Sequence, residues 1–333
     1  MGIRPVPRLV LLLALGILAL GAAGCGRGED EDTADAPVAT GEATEPAEEL
    51  SGSIEIDGSS TVGPLTTAAA EEFRAEQPNV NVTVGISGTG GGFERFCAGE
   101  TDISNASRPI DEEEEVPLCA EAGVEYTEFQ VGVDALTVVV NPENDWATCL
   151  TVEQLNKIWE PAAEGKVTNW NQVDPSFPDQ ALTLAGPGTD SGTFDYFTDE
   201  INGEEGASRS DYTASEDDNV TVQAVAGDAG GLGYLGYTYF EENMESLKAV
   251  EIDGGDGCVA PSVEAARDGT YVPLSRPLFI YAKNESLAQP EVYGFVEFFL
   301  TNSIQIAEDY LFIPVPEEQV TTNLSTLEST AAK

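Results

Sequence analysis

Apolar and polar positions alternate between two rhythms along this chain. Ile54-Glu55-Ile56 reads as a short strand, and Leu65 to Phe73 carries apolar residues at helical spacing until Pro78 stops it. Val80 to Ile86 alternates as a strand, Phe93 to Ala98 reads as a helix, and Thr101 to Ser104 as the next strand. This β-α-β-α-β order predicts a parallel or mixed sheet covered by helices. Val131 to Val140 is a long apolar run, read as a buried strand that ends at Asn141-Pro142.

A second series then begins. Thr151 to Trp159 is a predicted helix, with Thr151 and Gln154 spaced as a capping box. Leu182 to Ala185 and Leu232 to Leu235 read as strands; Phe194 to Ile201, Val220 to Ala226 and Val263 to Arg267 read as helices. Pro277 to Ala282 is again an apolar strand, followed by two helices, Glu291 to Leu300 and Ser303 to Tyr310. The two long apolar strands are read as crossovers. The chain leaves a first lobe near Val140, builds a second and returns near Tyr271. The expected organisation is residues 52–140 plus 272–333 for lobe 1 and 141–271 for lobe 2, with a ligand cleft between them.

The first fifty residues do not join this pattern. Arg4 and Arg8 precede an apolar run from Leu9 to Leu20, and small residues lead to Ala22-Ala23-Gly24-Cys25. Residues 1–24 read as a lipoprotein signal peptide with Cys25 as the lipidated first mature residue. The apolar run is shorter than a bilayer-spanning helix requires. Residues 25–50 are rich in Glu, Asp, Ala, Thr and Pro without an aromatic residue, which reads as a disordered acidic tether.

Charge narrows the function classes. The chain has 14 Lys plus Arg against 60 Asp plus Glu. Losing Arg4 and Arg8 with the leader leaves twelve basic against sixty acidic residues, a net of −48. That excludes non-specific nucleic-acid binding, which needs basic patches. Histidine is absent, which removes the commonest general base. Beyond Cys25, the cysteines are Cys97, Cys119, Cys149 and Cys258. An even number in an exported chain predicts two disulfides. Three pairings exist; Cys97–Cys119 with Cys149–Cys258 keeps each bridge within one expected lobe.

Three stretches suit a small oxyanion: Asp57-Gly58-Ser59-Ser60-Thr61-Val62, Ser87-Gly88-Thr89-Gly90-Gly91-Gly92 and Gly186-Pro187-Gly188-Thr189-Asp190-Ser191-Gly192-Thr193. Each supplies glycine and hydroxyl residues where a helix opens, so backbone N–H groups and hydroxyls can point at an anion. Each alone is explained as well by helix capping or a tight turn. Asp102 reads as structural, Glu112 to Glu115 as a solvated acidic face, and Trp146, Trp159 and Trp170 as core or interface anchors.

Taken in this order, together with Thr101-Asp102-Ile103-Ser104-Asn105-Ala106-Ser107-Arg108-Pro109, these motifs resemble the phosphate-binding protein (PstS) family that serves ABC phosphate importers. The resemblance spans nearly all of residues 53–313. It implies an α/β two-lobed periplasmic-binding-protein fold of type II, each lobe a mixed sheet flanked by helices, closing on one phosphate. It implies ligand contacts from Ser60, Thr61, Val62, Thr89, Ser191, Gly192 and Thr193. No catalytic residue and no cofactor are implied. The partners implied are inorganic phosphate, the membrane permease of an importer, and the outer face of the cytoplasmic membrane through the lipid anchor, with the chain a monomer.

Two positions depart from the family pattern. Many members carry an aspartate after the Ala-Ser of the third motif and an arginine shortly before Ser-Gly-Thr. Here Ala106-Ser107 is followed by Arg108, and Asp190 stands next to Ser191. The expectation is an exchange of charges between lobes: Arg108 gives the bidentate fork, Ser107 beside it is a further phosphate donor, and Asp190 accepts the phosphate proton. A binding protein for sulfate or molybdate, or a secreted phosphatase, is the alternative function; a signalling or adhesion role is also compatible with the same site.

Overall fold

A computed structural model of the chain describes residues 49–332. The expected signal peptide, Cys25 and residues 26–48 of the expected tether lie outside them. The described residues belong to one unit.

The first series folds as β1 (Ser51–Gly58), α1 (Gly63–Glu76), β2 (Asn79–Val84), α2 (Gly88–Cys97), β3 (Ile103–Ala106) and α3 (Glu115–Ala122). β1 pairs in parallel with both β2 and β3. The long strand β4 (Tyr126–Val140) follows. The second series is β5 (Cys149–Thr151), α4 (Val152–Trp159), α5 (Trp170–Val173), β6 (Thr183–Gly186), α6 (Gly192–Asn202), β7 (Thr213–Ala214), α7 (Asp218–Ala226) and β8 (Gly231–Gly236). Then come α8 (Tyr237–Glu242), β9 (Lys248–Ala249), β10 (Glu251–Asp253), β11 (Cys258–Val259) and α9 (Val263–Arg267). The chain closes with β12 (Ser275–Lys283), α10 (Pro290–Asp309) and α11 (Glu317–Ala331).

Among the described residues, one sheet runs β2-β1-β3-β12-β4-β8-β6-β7, with β9 also on β4, and β11-β10-β5 form a small second sheet. β4 changes partner along its length. Residues 126–135 pair antiparallel with β12, and residues 136–140 pair antiparallel with β8. Two βα series are thereby welded through one pair of strands. Each has its own core. Ile54, Leu65, Phe73, Phe295 and Phe299 pack in the first; Trp159, Trp170, Phe197 and Tyr234 pack in the second. Trp146 meets Trp170 edge-on at 5.9 Å. Trp159 and Trp170 are wholly buried in the core and Trp146 is half-buried against it, in line with the reading of the three as core or interface anchors.

Local chemistry fixes several boundaries. Thr151 and Gln154 form the capping box at the start of α4, at 3.2 and 3.0 Å. α10 is one helix where two are predicted. Thr301 is exposed and Asn302 half-buried, whereas Val292, Phe295, Val296, Phe299, Leu300, Ser303 and Ile306 keep one buried stripe through the supposed break. α3 and α11 are additions. α11 buries little beyond Asn323 and Leu327, too few apolar positions to announce a helix. Asp102 is structural: its carboxylate accepts from the Glu55 N–H at 2.9 Å and from Ser286 Oγ at 2.7 Å. The acidic run is not all solvated. Glu115 is buried, because its carboxylate receives the Arg108 guanidinium at 2.7 and 2.8 Å and the Asp111 N–H at 2.8 Å.

The disulfides are Cys97–Cys119 and Cys149–Cys258. The second joins residues 109 apart, linking β5 to β11 at the two ends of the second series. Replacing both of its cysteines with serine is expected to lower stability by roughly 2–4 kcal/mol, read as an earlier thermal unfolding transition. A transition unmoved by the change would assign the bridge no role in stability.

Arg209 is buried, donating to the Ile158 and Val167 carbonyls at 3.0 and 2.9 Å and to Asp211 at 2.6 and 2.9 Å. Those hydrogen bonds hold the Asp211 carboxyl down to about 2. A depressed carboxyl stabilises the fold above its unfolded value and loses that contribution as pH falls. Stability is therefore expected to fall from about pH 4 toward about pH 2, and Asp211→Asn to flatten part of that slope in acid-melting curves. An unchanged slope would contradict this.

Candidate functional site

The site is a cleft of about 920 Å³ lined from both series and from the segment entering β12. Its first wall comes from the starts of α1 and α2. Ser59 Oγ accepts the N–H groups of Thr61 and Val62 at 3.2 and 3.4 Å, satisfying donors ahead of α1. Ser60 and Thr61 line the cleft, whereas Val62 is wholly buried in the core behind it.

At α2 the chain turns through Gly88, whose φ of +79° suits glycine. Thr89 Oγ1 meets Ser107 Oγ at 3.1 Å and accepts the Ser107 N–H at 3.2 Å. This ties the glycine-rich first turn of α2 to the segment that leaves β3. Ser87, Thr89, Ser107 and Arg108 all face the cleft.

The opposite wall is α6. Ser191 caps it by accepting the Thr193 N–H at 3.2 Å. A Cβ built on Gly192 would lie 3.7 Å from Thr61 Oγ1, so the starts of α6 and α1 meet across the cleft. Ser191, Gly192 and Thr193 thus sit at the junction, although they are not among the residues lining its open volume. Asp190 is exposed and its N–H points to Glu216 at 3.3 Å; it too lies outside the lining. The carboxylates that do line the cleft are Asp195, Asp199, Glu200 and Glu205. Burial raises the Asp195 carboxyl, with Glu205 adding to the shift and Arg276 opposing it. Burial also raises Glu200, with Asp199 adding and Arg276 opposing.

Among the described residues, Arg108 and Arg276 reach the cleft. Arg108 is bound end-on by Glu115 through both terminal nitrogens, with Phe93 5.8 Å from its guanidinium carbon. The fork that the sequence assigns to a ligand is therefore held by a carboxylate of α3. Arg276, at the head of β12, is the residue sequence reasoning missed. Its Nε and Nη2 both donate to Asp134 Oδ2 at 3.2 Å, and Nη2 donates to Thr61 Oγ1 at 2.7 Å. Its guanidinium carbon stands 3.6 Å from the centre of the Tyr196 ring. Tyr196 is fixed in turn by donating to the Pro273 carbonyl at 2.7 Å. Asp134 is buried on β4, and burial pushes its carboxyl up while Arg276 opposes that shift. A signal for the pair exists in the sequence: Asp134 is the one charge inside the apolar run Val131 to Val140, and Arg276 stands directly before Pro277 to Ala282.

The arrangement offers hydroxyls, helix starts and guanidinium groups to a small anion, with carboxylates facing them. It contains no histidine. Cys149, Glu251 and Cys258 lie close enough to hold a metal ion, but both sulfurs are consumed by a disulfide.

Residues 43–303 match the family model described as a PBP superfamily domain. The chain is 51% identical over 272 residues to Protein SphX of Synechocystis, covering 81% of this chain and 80% of that protein. It is 38% identical over 284 residues to the phosphate-binding protein PstS of Staphylococcus saprophyticus, covering 85% and 86%. Among solved structures it is similar to a possible phosphate binding protein from Planctomyces limnophilus, with TM-score 0.81, 48% identity, and 84% and 99% of the two chains covered. These likenesses run through both βα series and through every strand that frames the cleft, so the chain belongs to the phosphate-binding protein (PstS) family of the PBP superfamily, whose members are solute-binding proteins rather than enzymes.

Proposed function

We propose that this protein captures inorganic phosphate in the cleft and delivers it to an ABC-type importer while held by a lipid on Cys25 at the outer face of the cytoplasmic membrane. It acts as a monomer. The observation that carries the reading is the meeting of the α1 and α6 starts at Thr61 and Gly192, beside the Thr89–Ser107 pair. Donors from both series converge there, and a cleft of about 920 Å³ must close to reach all sides of a small tetrahedral ion. The lobes that close are residues 52–140 with 272–333, and 141–271.

The ligand contacts proposed are Ser60, Thr61, Thr89, Ser107, Ser191, Gly192 and Thr193, with the Val62 N–H exchanging Ser59 for the ligand on closure. Phosphate keeps at least one proton at neutral pH and sulfate keeps none. A carboxylate facing the anion accepts that proton and repels a fully ionised oxygen, and unmet polar groups reject analogues strongly. Asp195, one turn into α6 and lining the cleft, takes the acceptor role expected of Asp190.

Calorimetric titration of ligand-stripped protein tests this. Phosphate is expected to bind one to one, with sulfate and molybdate weaker by about a hundredfold or more. Sulfate displacing phosphate at comparable concentration would overturn the selectivity argument. Asp195→Asn is expected to narrow the gap between phosphate and sulfate, and an unaltered ratio would move the acceptor elsewhere.

A further inference from the structure

We propose that Arg276, not Arg108, is the cation that anchors the bound anion, with Asp134 and Tyr196 as the residues that position it. The inference rests on the phosphate reading above and specifies which charge serves it.

The two arginines differ in what remains available. Arg108 gives both terminal nitrogens to one buried carboxylate, in the two-pronged geometry that suits a carboxylate or a phosphate. Nη1 also donates to the Pro109 carbonyl at 3.1 Å, and the side chain is 45% exposed. An anion binding there must compete with Glu115 and with water. Arg276 crowds Nε and Nη2 onto a single oxygen of Asp134. Its Nη1 makes none of the hydrogen bonds found among the described residues, although the side chain lines the cleft and is only 18% exposed. A guanidinium carries five donors, and the unmet edge is the one left for a ligand.

Position agrees with availability. Arg276 Nη2 donates to the same Thr61 oxygen that lies 3.7 Å from a Cβ on Gly192. The guanidinium is thus beside the junction of α1 and α6, where the proposed hydroxyl and amide donors converge. Its plane lies on Tyr196 of α6, its counter-ion is on β4, and its own strand is β12. These are the two strands that weld the series together. An anion on Nη1 therefore touches a cation that is packed against elements of both series. A partly buried charge acts there with less screening than Arg108 can offer.

Asp134 then has a definite task. It orients the fork and leaves the empty cleft without a bare buried charge. With Glu115 against Arg108 and Asp134 against Arg276, both cations are already matched, so capture depends on directed hydrogen bonds rather than excess positive charge.

Phosphate titrations of Arg276→Gln, Arg108→Gln and the double variant Arg276→Gln with Asp134→Asn test the assignment, with thermal melts without phosphate reporting folding. The double variant removes both partners and so leaves no orphaned charge. Loss of affinity by about a hundredfold or more in both Arg276 variants, against less than about tenfold for Arg108→Gln, is expected. Wild-type affinity in the folded double variant, or a greater loss in Arg108→Gln, overturns the assignment and leaves the phosphate reading intact. Wild-type protein that binds no phosphate overturns both.

Discussion

Gly92→Val is expected to cripple the first βα series, lowering the melting temperature by roughly 10 °C, equivalent to about 3 kcal/mol or more. Gly92 sits in α2 where the helix touches the sheet. A Cβ there would lie 2.5 Å from Gly58 Cα, 2.9 Å from Ser104 Oγ and 3.2 Å from the Asp57 carbonyl. Backbone contact on one side and a buried hydroxyl on the other leave no flexible group to move aside. Gly90→Ala is the matched comparison: its nearest foreign atom would be Arg108 Nη2 at 3.9 Å, an ordinary contact. Alanine favours helix over glycine by about 1 kcal/mol, so Gly90→Ala should melt no lower than wild type. Equal melting of Gly92→Val and wild type would show that α2 can lift off β1. The pair also separates two uses of glycine in one motif: Gly92 serves helix-to-strand packing, whereas Gly90 borders the cleft.

The second large effect is expected at Asp134. Asp134→Ala removes the counter-ion of Arg276, whose side chain is only 18% exposed. Breaking a buried pair from one side costs about 3–5 kcal/mol; because Arg276 still touches the cleft, the lower end applies. Denaturant unfolding of phosphate-free protein measures it. Asp134→Asn should be milder, since it preserves an acceptor for the guanidinium. Unfolding free energy for Asp134→Ala within 1 kcal/mol of wild type, on the order of what one exposed ion pair contributes, would mean that water alone satisfies Arg276.

Much of the architecture was legible because the alternation was clean. Ile54 to Ile56, Leu65 to Phe73 and Val80 to Ile86 each keep one period and end at recognisable stops, and they became β1, α1 and β2. The capping box at Thr151 was readable because both of its partners are local. What failed was non-local. Glu115 looks like one more acid in Glu112 to Glu115 until Arg108 is folded against it. α11 forms because Asn323 donates to the Gln130 carbonyl at 2.8 Å and Leu327 is buried, which no periodicity announces.

The cleft divides in the same way. Helix starts are local features, so the segments that carry Ser60, Thr61 and Thr89 and the Ser191–Thr193 turn were legible as such, and the fold brings these segments together. The carboxylates that line the cleft, and Arg276, were not. Asp190 is adjacent to Ser191 in sequence yet exposed, while Asp195 lies one helical turn further on and reaches the cleft. Arg276 and Asp134 are 142 residues apart, and only the antiparallel register of β12 on β4 sets them opposite one another.

A crystal structure of the phosphate-saturated protein tests the central claim most directly. One tetrahedral ion should lie between the starts of α1, α2 and α6, its oxygens met by hydroxyls and amides from both series and by Arg276. An ion bound outside that cleft, or held only by exposed side chains of one series, would contradict the account.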